Sequence, residues 1–358
     1  MNLLVKAPGK LFIAGEYAVI EPGSSAVLVA VNRYISLEAT ESEDIGRVFS
    51  THFSEALTWQ ITEDGTGHEA LEISPRWNNS LIAHILKTLF LFSNERSYSF
   101  APLKLTIKSE LERASGEKYG LGSSAALAVA FIKVFNERFQ WRLSHVEIFK
   151  LALLATWKLQ KSSSGADVAS STFGGWIYYS SPDRMKILNY LREHGTSETV
   201  AWSWPKLQIE PFEAPQSIKL TVAWSGSPAV TDKLINRQYV DAAEKEGFVS
   251  ESNKIVDALY EALLADDAKK ILLNIKQSKT GLLKHIGRAN LEYETPMLAT
   301  IDRIATENDV LAKISGAGGG DCAIAFTPRK QSVTRMIEEW KNHGIVHLSL
   351  SVTEKGKV

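Results

Sequence analysis

Apolar and polar positions follow two different periods along this chain, and their alternation predicts interleaved strands and helices. Strands are predicted for four apolar or alternating runs, at residues 11–14, 26–30, 34–40 and 103–108. The first of these strands is predicted to follow a Pro-Gly turn. The stretch 41–67 is richer in charged residues, Gly and Thr, and we expect a surface hairpin there. The pattern favours an α/β or α+β chain.

Helices are predicted where the apolar spacing changes to three and four. Residues 81–90 have this spacing, as an amphipathic helix does. Residues 124–139 are Ala-rich and apolar on most faces, which predicts a buried helix. Ser144 and Glu147 have the spacing of a capping box, which predicts that another helix begins there and runs to about residue 160.

Four prolines between residues 181 and 216 predict a loop-rich segment, and we place a domain boundary in it. At 358 residues the chain is long enough for about two domains, here 1–190 and 191–358, with the boundary between about 180 and 215. The remaining predicted elements are strands at 176–179 and 218–224, helices at 252–264 and 268–284, and a strand, glycine loop and strand around Ser315.

Composition narrows the class of protein. Hydrophobic residues make up 44% of the chain and charged residues 23%, as in ordinary globular proteins. The 40 basic and 41 acidic side chains leave no basic excess for a dedicated nucleic-acid binder. Cys322 is the only cysteine, which excludes an intrachain disulfide and fits a reducing compartment. Without a signal-peptide pattern or a membrane-length apolar run, we expect a cytoplasmic protein with no membrane partner.

The strongest chemical signal is the heptad Gly120-Leu121-Gly122-Ser123-Ser124-Ala125-Ala126, which runs into the predicted buried helix. Amides at a helix N-terminus are unpaired and lie at the positive end of the helix dipole, so they favour a phosphate. The glycines let phosphate oxygens approach the backbone, and the two serine hydroxyls can bond a phosphate or coordinate Mg²⁺. The heptad therefore predicts an anion site.

Other interpretations of the heptad fit less well or stay open. It satisfies the dinucleotide fingerprint G-x-G-x-x-A, but about ten polar residues separate it from the preceding strand, and no acidic residue ends a second strand about 20 positions later. A Walker A motif is excluded because the chain contains no Gly-Lys-Ser or Gly-Lys-Thr. A glycine turn that enters a core helix without binding a ligand remains possible.

Three further segments carry candidate chemistry, each with an ordinary structural alternative. Residues 315–321 contain four glycines between two apolar runs, and either a ligand or a loop tip would explain them. Residues 162–167, a serine run that ends on Asp167, fit a polar substrate site, a helix cap or a flexible linker. Lys6 and Lys10 flank a stiff turn that aims both cations away from a strand, although surface lysines are usually only solvated.

Together these segments resemble the GHMP family of small-molecule kinases, which includes galactokinase, homoserine kinase, mevalonate kinase and phosphomevalonate kinase. Residues 6–19 match the family's first motif, residues 120–126 its ATP phosphate loop and residues 315–321 its third motif, in the family's order. The resemblance implies a two-domain α+β fold with the active site in the interdomain cleft. The N-terminal, ATP-binding domain would be like ribosomal protein S5 domain 2, and the C-terminal domain would be ferredoxin-like.

The resemblance also implies roles for individual residues. Lys10 and Asp167 are the expected catalytic residues, Mg²⁺ the expected cofactor with ATP as co-substrate, and Ser124 the expected metal ligand. Mevalonate kinases have a metal-binding glutamate where this chain has Thr156, so ATP phosphates and water would supply more of the metal shell. The expected ATP-binding residues are Gly120, Leu121, Gly122, Ser123, Ser124, Ala125, Asn78 and Ser80. The expected substrate-binding residues are Lys10, Glu16, Tyr17, Ser163, Ser164, Gly165, Lys118, Gly318 and Gly319.

The acceptor is indicated only by a finer resemblance. Gly15-Glu16-Tyr17, Lys118-Tyr119 and Ala223-Trp224-Ser225-Gly226 are similar to stretches of the bacterial phosphomevalonate kinases within the family. This implies transfer of the ATP γ-phosphate to the 5-phosphate of phosphomevalonate, by a monomer or a homodimer. Mevalonate kinase or another GHMP kinase is one alternative, and a catalytically silent nucleotide or metabolite sensor is another.

A phosphate acceptor requires an added cation, because two anions must be held close together. The candidates are Lys10, Lys118, Lys233 and Arg237. The last two are four positions apart on a predicted helix, where an ordinary exposed basic face would explain them as well. Asn78 and Ser80 precede the first long helix, where relatives place the adenine, and N-capping explains them equally well.

Overall fold

The computed structural model describes residues 2–51, 54–63, 69–228, 241–289, 291 and 293–356. Within these ranges the chain forms two β-sheets with helices packed against them, an α+β arrangement. No helix in the described ranges is both long and apolar enough to cross a membrane.

The larger sheet has a mixed topology, with eight strands among the described residues. Its strand order is β5-β4-β3-β6-β2-β7-β8, with β1 paired to β2. Of these described strands, only β3 and β6 pair in parallel. The strands are β1 (Leu3–Ala14), β2 (Ser25–Glu41), β3 (Gly46–Ser50), β4 (Leu57–Glu63), β5 (Glu69–Ile73), β6 (Leu103–Ser109), β7 (Trp176–Ser180) and β8 (Gln208–Phe212).

Helices cover the larger sheet. They are α1 (Leu81–Arg96), α2 (Ser123–Arg138), α3 (His145–Trp157), α4 (Ala166–Phe173) and α5 (Arg184–Ala201). Helices α2 and α4 pack directly on β1 and β2, and α3 covers both helices. The predicted capping box at the start of α3 is confirmed: the Ser144 hydroxyl accepts from the Glu147 amide, and the Glu147 carboxylate accepts from the Ser144 amide. Buried α2 and α4 thereby hold their N-terminal loops against β1.

The smaller sheet is antiparallel, in the order β10 (Leu311–Ile314), β11 (Cys322–Pro328), β9 (Ile218–Trp224) and β12 (Val346–Leu348). Between β9 and β10 lie α6 (Ala242–Leu264), α7 (Ala268–Ala289) and α8 (Pro296–Glu307), and between β11 and β12 lies α9 (Thr334–Asn342). This order and connectivity are those of a ferredoxin-like fold, as expected.

Two of the predicted elements are wrong. The Pro-Gly turn at Pro8 is instead a point inside β1 where the register against β2 shifts, because an irregularity of this kind accommodates proline in a strand. The segment 181–216 is not loop-rich, since it forms α5, which the Asp183 carboxylate caps, and β8. Pro211 is tolerated in β8 because that strand ends the order of the sheet and needs no amide donor on its outer side.

The two sheets belong to one packed body of side chains. Helix α6 packs on β2 and α7 on β1, and a single hydrophobic cluster includes residues of both sheets, among them Trp176 and Trp224. Strand β8 still belongs to the larger sheet, so the change from one sheet to the other falls between Phe212 and Ile218. The domain limits 1–190 and 191–358 stay a prediction.

Candidate active site

A cleft of about 480 Å³ lies where the two sheets meet, a size that suits a small molecule. Its walls come from the end of β1 and the turn after it, the loop into α2, the serine run before α4 and the glycine loop between β10 and β11. The predicted site residues that line it are Lys10, Glu16, Tyr17, Lys118, Gly120, Leu121, Gly122, Ser123, Ser124, Ser163, Ser164 and Asp167.

The other predicted site residues are not part of the cleft lining: Asn78, Ser80, Ala125, Gly165, Gly318 and Gly319. The Ser80 hydroxyl caps the first turn of α1, and Asn78 accepts a hydrogen bond from a lysine ammonium of that helix. The Gly319 amide donates to the Tyr293 carbonyl at 2.7 Å. Asn78, Ser80 and Gly319 therefore have structural partners, and the binding roles of all six residues stay predictions.

The loop into α2 presents unpaired amides to the cleft. Gly122 is the N-cap of α2 and has a φ of 79°, which favours glycine. The first hydrogen bond of the helix runs from the Ala126 amide to the Gly122 carbonyl at 3.1 Å. The amides of Ser123, Ser124 and Ala125 therefore have no carbonyl within the helix to bond, and the dipole of this buried helix adds positive potential there. The arrangement suits a phosphate group.

Lys10 joins β1 to this loop. Its backbone amide donates to the Leu121 carbonyl at 2.8 Å, and its ammonium donates to the Gly120 carbonyl at 3.2 Å. A Cβ added to Gly122 would lie 3.0 Å from the Lys10 Cε, so the lysine stem lies along the glycine. Only 9% of Lys10 is exposed. The loop therefore holds a largely buried cation beside its free amides.

Asp167 lies in the first turn of α4, whose N-cap is Gly165, so the alternative that Asp167 caps this helix is excluded. Its Oδ1 accepts a hydrogen bond from the Val168 amide at 2.9 Å. Burial raises the pKa of Asp167, while the positive charge of Lys10 and the Val168 amide act in the opposite direction. The cleft thus contains a carboxylate that interacts electrostatically with Lys10 and whose charge is costly to bury.

The serine run before α4 is held in place by hydrogen bonds. The hydroxyls of Ser163 and Ser164 each accept from the amide two residues further along, at 3.3 Å. The Trp157 indole donates to the Ser163 carbonyl at 2.9 Å, and the Tyr179 hydroxyl donates to the Ser164 carbonyl at 2.6 Å. The run is therefore no flexible linker, and each hydroxyl keeps a proton to donate to a polar ligand.

The turn after β1 contacts the glycine loop. Tyr17 has a φ of 64°, and its hydroxyl donates to the Ala317 carbonyl at 2.7 Å. The Glu16 carboxylate forms a buried ion pair with Lys313 of β10. Both Glu16 and Tyr17 were expected to bind substrate, yet the Tyr17 hydroxyl and one carboxylate oxygen of Glu16 have partners within the chain.

Sequence reasoning missed several residues of the cleft and its surroundings. Gln160, Ser315 and Asp321 line the cleft, although only the last two lie within a recognised motif. Lys313 was also missed, and its one signal in the sequence is a charge within an apolar strand. Such a signal identifies an unusual residue without identifying its partner.

The described residues of the cleft include oxygen atoms that fit a metal ion but form no complete metal site. In the described ranges no three His, Cys, Asp or Glu side chains cluster as a metal site. The Thr156 hydroxyl donates to the Ala152 carbonyl within α3 at 2.7 Å. Ser124 and Asp167 line the cleft, and Mg²⁺ is commonly held by one or two carboxylates together with substrate phosphates. These residues fit a Mg²⁺ ion that binds with a nucleotide.

Two lysines supply positive charge to the cleft within the part of the chain that the structure describes. Of the four candidates for an added cation, Lys10 and Lys118 line it, and Lys118 is exposed in the segment that leads into the phosphate loop. Lys233 and Arg237 lie outside the described residues.

Comparison with known proteins gives consistent similarities along the chain. Residues 81–175 match the family profile of the GHMP kinases N terminal domain, and residues 259–346 match that of the GHMP kinases C terminal. The chain is 34% identical to a phosphomevalonate kinase of Streptomyces sp. (strain CL190), over 98% of this chain and 97% of that relative.

Two solved structures are similar over nearly the whole chain. The Lin0012 protein from Listeria innocua has a TM-score of 0.91 and 33% identity, with 99% of both chains covered. The phosphomevalonate kinase of Streptococcus pneumoniae, in complex with phosphomevalonate and AMPPNP, has a TM-score of 0.84 and 26% identity, with 98% of this chain and 99% of that chain covered.

Proposed function

The chain belongs to the GHMP kinase family, and we propose that it is a phosphomevalonate kinase, which transfers the γ-phosphate of ATP to the 5-phosphate of phosphomevalonate. The observation that carries the proposal is the meeting of the α2 N-terminus, Lys10 and Asp167 in one cleft. The products are diphosphomevalonate and ADP, in the mevalonate pathway of isoprenoid synthesis.

ATP would bind with its phosphates at the N-terminus of α2. The amides of Ser123 to Ala125 and the helix dipole attract the phosphate oxygens, and the glycines leave room for them. Mg²⁺ bound with the nucleotide would neutralise part of the phosphate charge. The Ser124 hydroxyl and the Asp167 carboxylate would hold that ion.

The reaction requires alignment and charge neutralisation more than proton transfer. An oxygen of the acceptor phosphate forms a bond to the γ-phosphorus. The bond from that phosphorus to the oxygen that bridges the β- and γ-phosphates of ATP breaks, and this oxygen leaves with ADP. The transition state is loose, so Lys10 contributes by neutralising charge on the transferring group. Because a phosphate monoester is largely ionised near neutral pH, it has little need of a general base. Asp167 would therefore orient Lys10 and the acceptor.

The acceptor phosphate needs a cation of its own, and Lys118 is the residue we propose. Two lysines of the described residues line the cleft, Lys10 and Lys118. Lys10 interacts with Asp167, and the nearby Lys313 is paired with Glu16, so we assign the acceptor phosphate to Lys118. It is exposed and adjacent to the phosphate loop, from which its ammonium could reach a phosphate in the cleft. A cytoplasmic location and a monomeric or homodimeric state remain predictions.

A panel of acceptors tests the proposal. The purified protein would be incubated with Mg-ATP and mevalonate, phosphomevalonate, homoserine or galactose, and ADP release would be measured. We expect turnover with phosphomevalonate and little with the other three. Preference for mevalonate would assign the chain to the mevalonate kinases, and tight ATP binding without turnover of any acceptor would leave a nucleotide sensor.

A further inference from the structure

Glu16 and Lys313 form a charge pair that phosphoryl transfer does not require. Glu16 follows β1, Lys313 lies in β10, and the two are 297 positions apart. Their side chains are only 2% and 1% exposed. The Lys313 ammonium donates to the Glu16 carboxylate and to the Ile314 carbonyl, the latter at 3.0 Å. Two charges are therefore removed from water at the wall of the cleft, which Glu16 helps to line.

Stability alone is a poor explanation of this pair. Removing two ions from water costs several kcal/mol each, and apolar side chains of similar volume often stabilise a fold as well or better. The second carboxylate oxygen of Glu16 is also buried, without a hydrogen-bond partner among the described residues. An unsatisfied buried oxygen adds to the cost. A pair of this kind is better suited to fixing one conformation than to stabilising the fold.

The conformation that it fixes is that of the glycine loop. The Glu16 oxygen that binds Lys313 also lies 3.5 Å from the Gly316 amide nitrogen. The neighbouring contacts act on the same stretch: the Ser315 hydroxyl accepts from a β1 amide at 2.8 Å, and the Tyr17 hydroxyl holds the Ala317 carbonyl. Three consecutive loop residues are thus tied to β1 and its turn, and all three line the cleft.

Both sides of this contact have unusual backbone conformations. The φ of Tyr17 is 64° and that of Gly316 is 93°. For a bulky residue such as tyrosine the left-handed region is strained, and it persists only when surrounding contacts determine it. Glycine adopts such a φ without strain, so the strained residue is Tyr17. Glu16 directly precedes Tyr17, and its ion pair with Lys313 supplies such a contact.

We propose that Glu16 and Lys313 are positioning residues, which set the backbone of residues 315–317 against the acceptor without touching it. The kinetic part of the proposal rests on the proposed kinase activity. The conformational part does not, because it concerns the order of the loop in the free protein.

Three variants separate a positioning role from a purely structural one: Glu16→Gln, Lys313→Met and the double variant. Each single variant leaves a buried group unpaired and is expected to lower Tm, whereas the double variant removes both charges and should recover Tm. In the double variant we expect kcat/KM for phosphomevalonate to stay roughly 10- to 100-fold below that of the parent protein. A small misplacement of the backbone of residues 315–317 is enough for such a loss. The KM for ATP should change little.

A control pair is Lys279 and Asp302, whose side chains meet at 2.5 Å between α7 and α8 and do not line the cleft. The double variant Lys279→Met, Asp302→Asn should keep normal kinetics. Recovery of both Tm and kcat/KM in the Glu16→Gln, Lys313→Met double variant would overturn the proposal.

Hydrogen exchange distinguishes a failure of this inference from a failure of the proposed function. Peptides that cover residues 311–322 should exchange at least about tenfold faster in the double variant than in the parent protein, without any substrate present. Unchanged exchange would overturn the positioning role even if the parent protein is an active kinase. Faster exchange in the double variant, together with no phosphomevalonate turnover by the parent protein, would support the anchoring of the loop by the ion pair. It would contradict the proposed kinase activity and not the anchoring.

Discussion

The carboxyl group of Asp321 lies against the backbone of Gly120, so closely that a Cβ added to Gly120 would overlap it. Gly120 begins the phosphate loop and Asp321 ends the glycine loop, and both have positive φ, 78° and 61°. The two Gly-rich segments of the sequence are therefore in direct contact. Glycine is required at position 120 both for this approach and for its backbone conformation.

Replacing Gly120 should disrupt both segments together. In Gly120→Ala the new methyl group must displace Asp321 or the loop, so we expect at least a tenfold rise in the KM for ATP and a lower Tm. Gly116→Ala is the matched control, because Gly116 also has a positive φ, 89°, but no atom lies within 4 Å of its added Cβ. It should cost about 1–2 kcal/mol of stability, because an L-residue is strained at positive φ, and leave the KM for ATP unchanged. An equal KM for ATP in the two variants would contradict a role of the contact between Gly120 and Asp321 in ATP binding.

Asp167→Asn should separate activity from stability. We expect kcat to fall by about 10² or more, because the variant loses the charge that orients Lys10 and the acceptor. The fold should be kept, since the asparagine oxygen can still accept from the Val168 amide.

The pH dependence of stability follows from the pKa of Asp167, which burial raises in the folded protein. Because the pKa of Asp167 is higher in the folded than in the unfolded protein, protonated Asp167 favours folding. This contribution is fully present below the unfolded pKa and is lost as pH rises through the folded pKa. Asp167→Asn should therefore have an equal or higher Tm than the parent at pH 7, and this advantage should vanish in acid. Asp44→Asn, at an exposed aspartate, serves as the control. A lower Tm at pH 7 for Asp167→Asn would show that the carboxylate stabilises the fold.

Lys10→Met should move the pH profile of the reaction. Lys10 lowers the pKa of Asp167, so its removal should shift the acidic limb of kcat/KM to higher pH as well as reduce kcat. Lys6→Met is the matched control, because Lys6 is an exposed lysine of the same strand. If kcat/KM falls at the same acidic pH in Lys10→Met as in the parent protein, the ionisation of Asp167 does not cause that fall.

Ser124→Ala tests the metal ligand. Without the hydroxyl, the Mg²⁺ concentration that gives half-maximal activity should rise by about tenfold, since Mg²⁺ prefers oxygen ligands in near-octahedral geometry. Ser123→Ala removes the neighbouring hydroxyl of the same helix turn and should leave the Mg²⁺ dependence close to that of the parent. A larger effect at Ser123 would transfer the metal role to that residue.

Local sequence patterns predicted those parts of the fold that depend on neighbouring residues. The Ser144–Glu147 capping box and the Ala-rich helix α2 were predicted because each contains its own stabilising contacts. The four prolines of the segment 181–216 predict loops, but the effect of a proline on secondary structure depends on its position. Pro182 precedes a helix and Pro211 lies in the last strand of a sheet, where neither removes a needed hydrogen bond.

The same limit applies to the cleft. The sequence identified the heptad at Gly120 and the carboxylate Asp167 because their chemistry is carried by short motifs. It did not identify the partner of Glu16, since Lys313 is 297 positions away and no periodic pattern links the two. The family resemblance places Asn78 and Ser80 near the adenine, and this stays a prediction. The N-capping alternative fits Ser80, whose hydroxyl caps α1.

The identity of the atom that accepts the phosphoryl group decides whether this chain is a phosphomevalonate kinase. The measurement is ³¹P NMR of the product formed from phosphomevalonate and Mg-ATP. We predict two new, mutually coupled phosphorus resonances of a diphosphate ester, formed in step with ADP. Two uncoupled monoester resonances, which would mean transfer to a hydroxyl group, or ATP hydrolysis without a phosphorylated product, would contradict the proposed function.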